Sequence, residues 1–211
     1  MHDEHRIAAR RVVLFGVPFL YIVLGLLHPA NPELGDETAL FIALHYAQLF
    51  LIGGLAYVFW LLVDGLDWRA ARVARALILP FVIVYTAVDA VLGIAWGIVV
   101  EKANELPIGD QAAADRLIDK LLVDPEPVGL IFYFGAGLLC LAVVLAVVAA
   151  LGSAAPWPVR ILMTVGALVF VLGHARPMGP IGMALFLAGI LWLELRPGRE
   201  SAEHPVPLQA A

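Results

Sequence analysis

Residues 38–64, TALFIALHYAQLFLIGGLAYVFWLLVD, decide how this chain is read. From Ala39 to Val63 there is no Asp, Glu, Lys or Arg. About 20 consecutive apolar residues are enough to cross a bilayer as a helix. Near its start the stretch nevertheless carries His45, Tyr46 and Gln48. It therefore reads as a membrane-spanning helix that holds polar side chains close to one end.

The flanking sequence supports the same reading. Of 211 residues, 62% are hydrophobic and 15% charged, and the mean hydropathy is +0.92. Soluble domains are about half apolar and about a quarter charged. Apolar runs at about 12–28, 39–63, 76–100, 127–151, 158–174 and 179–195 give six spans. The expected fold is an all-α integral membrane protein, a bundle of six transmembrane helices. Residues 1–11 are a charged leader with Arg6, Arg10 and Arg11, and residues 196–211 are a flexible polar tail.

A basic leader before an apolar run also fits a signal peptide. The run is long for that, however, and Ala30 is preceded two positions earlier by His28 rather than a small residue. Span one is read as a retained anchor, with Pro18 kinking it. Thr38 is placed to cap span two. Prolines are expected in the first turns of spans three to six, Pro80 among them, where a missing N–H costs little.

Lysine and arginine counts set the orientation. One side collects Arg6, Arg10, Arg11, Arg69, Arg72, Arg75, Arg160, Arg196 and Arg199, and the other Lys102, Arg116, Lys120 and Arg176. Both termini are therefore expected in the cytoplasm and the protein in the cell membrane. Trp60, Trp68, Trp157 and Trp192 fall near the inner interface, as an aromatic belt does. Between spans three and four, residues 111–124 place Leu117, Ile118, Leu121 and Leu122 on one face. That pattern predicts a short amphipathic helix, either resting on the outer surface or acting as a lid.

Depth singles out a few polar residues. At about 1.5 Å per residue, His45 lies roughly 9 Å below the outer end of span two, with Gln48 one turn deeper. His28 and His174 close spans one and five at the same side. Asp89 falls near the bilayer centre in span three. An Asp there costs about 2.5–3.5 kcal/mol on insertion scales, so it faces protein or water. Tyr85, Asp89, Gly93 and Gly97 recur every four residues, and the glycines invite a close helix neighbour. Consecutive antiparallel spans pack together, which makes span two the expected neighbour and His45 the expected partner of Asp89.

These positions define the candidate site. Asp89 and His45 are the candidate catalytic pair; His28, His45 and His174 are the candidate metal ligands; Gln48, Tyr85, Tyr133 and Arg176 are candidate pocket residues. Each has a structural alternative. Asp89 can lock the bundle as a protonated hydrogen-bonder, or serve as proton carrier, cation ligand or catalytic acid. Arg176 can simply reach lipid headgroups.

Much chemistry is excluded. Cys140 is the only cysteine, so there is no internal disulfide or CxxC pair. The net charge of −5 leaves no nucleic-acid footprint. GxSxG, HExxH and P-loop motifs are absent. No cofactor is specified. The expected function is a small membrane subunit or accessory protein with a polar pocket in the outer half of the bilayer. A membrane-embedded enzyme or metal or haem protein, and a small transporter or proton-coupled channel with Asp89 in its pathway, remain the alternatives. The expected partners are the lipid bilayer and other membrane subunits or further copies of the chain.

Overall fold

The computed structural model describes residues 2–29, 37–122, 127–173 and 177–196. Among these the chain is helical, with no strands. The elements are α1 (His2–Leu27), α2 (Thr38–Val63), α3 (Arg69–Val88), α4 (Trp96–Asn104), α5 (Ile108–Leu122), α6 (Pro127–Leu151), α7 (Trp157–Leu172) and α8 (Met178–Leu195). A π-helical stretch, Asp89–Ala95, joins α3 to α4, so the backbone runs on as one rod, Arg69–Asn104. Five helices are long and apolar enough to cross a membrane, and a sixth apolar helix, α7, is shorter.

Several local expectations change. α1 starts at His2, so the charged leader continues the helix instead of preceding it. Pro18 sits inside α1 without ending it. The capping position of α2 is Glu37, not Thr38, and its side chain makes no capping bond. α3 starts at Arg69, which puts Pro80 inside the helix rather than in its first turn. Arg69, Arg72 and Arg75 extend the helical pattern beyond the apolar run that marked span three. The segment after span three does form a helix, α5.

The two ends of the bundle are chemically distinct. At one end Arg10 of α1 pairs with Glu194 of α8, N to O 3.2 Å. The Trp68 indole donates to the Ala150 carbonyl at 2.8 Å, which ties the start of α3 to the end of α6. Arg75 donates to the Val63 carbonyl at 3.2 Å and lies 5.9 Å from the Trp60 ring. The middle is apolar: Ile52, Leu55, Phe59, Phe81, Val144, Met163 and Ile190 are buried together. At the other end lie His28 and His45.

α7 and α8 pack backbone to backbone through a reciprocal pair of Gly-x-x-x-Phe steps, Gly166/Phe170 and Gly182/Phe186. A Cβ on Gly166 would lie 2.6 Å from both the Gly182 carbonyl oxygen and the Phe186 nitrogen. A Cβ on Gly182 would collide with the Phe170 backbone. Apolar side chains lose little by leaving one another for lipid, so close van der Waals packing is what holds such helices. Gly182→Val should therefore lower stability by about 1–3 kcal/mol, the usual cost of overpacking. Thermal unfolding in detergent micelles reads this, and an unchanged midpoint would show that α7 and α8 do not meet here.

Candidate functional site

α2 supplies the centre of the site. The His45 ring turns back along its own helix, and Nδ1 lies 2.8 Å from the Phe41 carbonyl oxygen. A carbonyl only accepts, so Nδ1–H donates and a neutral ring is left with its lone pair on Nε2. That nitrogen points at Asp89, with Oδ1 at 3.9 Å. The gap exceeds a direct hydrogen bond, and a small side-chain rotation would close it. Both side chains are about 4% exposed, so the pair is screened from bulk solvent.

The π-helical stretch aims Asp89. In an α-helix four residues overshoot one turn by about 40°, so a four-residue repeat drifts around the helix. A π-helix has roughly 4.4 residues per turn, and four residues there fall roughly 30° short. Alternating the two cancels the drift. Asp89, Gly93 and Gly97 consequently all face α2. A Cβ on Gly93 would fall inside the His45 ring, and one on Gly97 would sit 2.7 Å from Ile42 Cγ1. Every-fourth spacing thus identifies the correct face, but only because the helix is wound wide across Asp89–Ala95.

Aromatic rings cover the pair. The Phe41 and His45 ring centroids are 4.1 Å apart, and His28 stands edge-on to His45 at 5.1 Å. Phe41 also meets His28 and Trp96, each at 5.3 Å. His28 Nδ1–H donates to the Pro29 carbonyl at 2.8 Å, the same tethering as at His45. Imidazoles that ligate metals are commonly held through their second nitrogen in this way. Among the described residues, however, no group of three or more His, Cys, Asp or Glu is placed to hold a metal.

Gln48 is buried on α2, one turn below His45. Tyr85 lies one turn before Asp89 and stacks at a tilt on Phe81, 5.5 Å between centroids. His174 and Arg176 lie outside the described residues, as does the side chain of Tyr133. Two further residues join the cluster. Tyr21, buried on α1, is within electrostatic reach of Tyr85 and Asp89. Trp96 turns its indole nitrogen inward. Tyr21 is seven residues before His28 and shares its helix face. Trp96 is the one tryptophan away from the arginine-rich end. Those were the available sequence signals.

Among the described residues, Asp89 Oδ2, the Tyr21 hydroxyl and the Trp96 Nε1 are buried without a hydrogen-bond partner. Such concentration of unmet polar atoms is unusual in a folded interior and marks functional sites or bound water.

Gly93→Ala tests the arrangement. The added methyl must displace His45 and should cost about 1–3 kcal/mol. With His45→Ala in the same chain the methyl finds space, so much of that cost should be recovered. Additive losses in this cycle, read from thermal unfolding, would place His45 elsewhere.

No known protein family, no curated protein and no solved structure matches this chain, and the site is interpreted from its own chemistry.

Proposed function

We propose that this chain is a small multi-pass subunit or accessory protein of the cell membrane, working through a protonatable polar pocket in the outer half of the bilayer. The observation that carries this reading is the buried His45–Asp89 pair, 3.9 Å apart and roofed by Phe41, His28 and Trp96. An intramembrane acid facing the bundle interior beside a titratable base is costly to keep without a use. A carboxyl and an imidazole brought from this separation into hydrogen-bond contact can exchange a proton without bulk water. The pocket acts on one side only. Below it, Ile52, Leu55, Phe59 and Phe81 are packed without an intervening polar side chain from α2 or α3. A through-going proton or solute route would need polar groups at that level.

In this reading six helices span the bilayer, α7 completing the set as a short, closely packed span against α8. Both termini lie on the cytoplasmic side, with the arginine-rich end and its tryptophans at the inner interface. The histidine end then faces outward. α5 rests on the outer surface, joined to α4 by only three residues, with Ile108 and Leu117 exposed for contact with lipid.

Two measurements check these statements. Single cysteines placed at Gly109 and at Ser153 in a Cys140→Ala chain should differ in labelling. The first should react with an impermeant reagent added outside, and the second only after permeabilisation. The reverse pattern would invert the orientation. For the pocket, an infrared pH titration of the reconstituted protein should show a carboxyl band that disappears in Asp89→Asn. Liposomes carrying the protein should pass protons no faster than empty ones. A proton flux abolished by Asp89→Asn would replace the one-sided pocket with a transport pathway.

A further inference from the structure

The oxygen atoms around Asp89 point to a specific kind of ligand. Three polar side chains on three helices are each buried: Asp89 is 6% exposed, Gln48 6% and Tyr21 5%, and the register that sets Gly97 against Ile42 and Gly93 against His45 brings Asp89 level with Gln48 on α2. Asp89 Oδ2 and the Tyr21 hydroxyl have no hydrogen-bond partner among the described residues. No lysine or arginine is described as paired with Asp89. Its one basic neighbour, His45, has Nδ1 committed to the Phe41 carbonyl and turns Nε2 toward the carboxyl.

We infer that the pocket binds a monovalent alkali cation, held by the Asp89 carboxylate with oxygen atoms of Gln48 and Tyr21 and exchanged against a proton. The inference rests on the pocket reading above and names its ligand. Carboxylate, amide and hydroxyl oxygens are hard donors, which favour hard cations over zinc or copper. A single carboxylate balances one positive charge; a divalent ion would leave a net charge buried in hydrocarbon, at a cost of several kcal/mol. The π-helical stretch adds to the case. The Trp96 backbone N–H bonds to the Gly93 and Val91 carbonyls, so the regular i−4 bonding to Leu92 is interrupted within one turn of the site. π-helical turns inside α-helices are frequent at functional sites.

Proton competition follows from the same carboxylate serving both ligands. The titratable groups around it are Tyr21 on α1, His45 on α2 and Tyr85 on its own helix; beyond them His28 faces His45, and Cys140 on α6 is within reach of Tyr21. None of these carries a fixed positive charge, so none substitutes for the bound cation.

The test is thermal unfolding of the full chain in nanodiscs, with sodium chloride replacing choline chloride at constant ionic strength. The midpoint should rise saturably with sodium. Half-saturation should move to higher sodium as pH falls, by up to about tenfold per pH unit where proton and cation compete for one group. Asp89→Asn should abolish the response, and Gln48→Leu and Tyr21→Phe should each weaken sodium binding several-fold. Arg10→Gln, at the far end of the bundle, should leave it unchanged. If Asp89→Asn fails to fold, the Gln48 and Tyr21 variants decide alone. Equal midpoints in sodium and choline, or a sodium response unaltered in all the pocket variants, would overturn the inference. An infrared band from Asp89 persisting in that case would show that the pocket stands and only its ligand was misassigned.

Discussion

Gly93 has no side chain, and the ring of His45 occupies the space one would fill. The histidine end of the bundle depends on that contact. It lets α2 approach the rod Arg69–Asn104 closely enough for His45 to reach Asp89. Hydrocarbon offers no water to an exposed carboxyl, so a polar group at that depth must find protein. The missing methylene, the wide turn and the tethered imidazole each serve that requirement. Removing any one of them would disturb the approach of His45 to Asp89.

The polar chemistry of the molecule is divided by its apolar middle. At the arginine-rich end, Arg10 and Glu194 pair, and Trp68 and Arg75 bond to backbone carbonyls that helix ends leave open. These contacts fasten helix ends to one another. At the histidine end the polar side chains instead converge below the surface, and some of their atoms meet no partner among the described residues. The first end is fastened by its contacts; the second holds its polar groups in the interior. The packed layer between them, with Phe59 against both Phe81 and Phe186, keeps the two separate.

The membrane character was legible because hydrophobic runs of this length have few other uses, and α2 lies where its uncharged stretch placed it, Thr38–Val63. The Asp89 face was legible from its glycines, although the repeat that revealed it assumes a straight α-helix. No propensity scale announces a π-turn, since the widening depends on what packs alongside. Helix ends were less legible. Arg69 through Arg75 and the leader were set apart by charge, but helices continue past the apolar region wherever polar residues still suit a helix in water or headgroups. Tyr21 and Trp96 were overlooked for a related reason. Isolated aromatic residues in an apolar run are ordinary, and only the fold shows their polar atoms buried. Glu194 escaped notice because its partner, Arg10, is 184 residues away in sequence.

The central claim is that His45 and Asp89 face each other across α2 and the wide turn, with the imidazole proton fixed on Nδ1. Solid-state NMR of protein labelled at both residues, in lipid bilayers, measures both parts at once. The account predicts a His45 nitrogen spectrum with Nδ1 protonated and a dipolar contact between Nε2 and the Asp89 carboxyl carbon, consistent with the 3.9 Å separation of Nε2 and Oδ1. A bare Nδ1 together with no measurable coupling to Asp89 would contradict it.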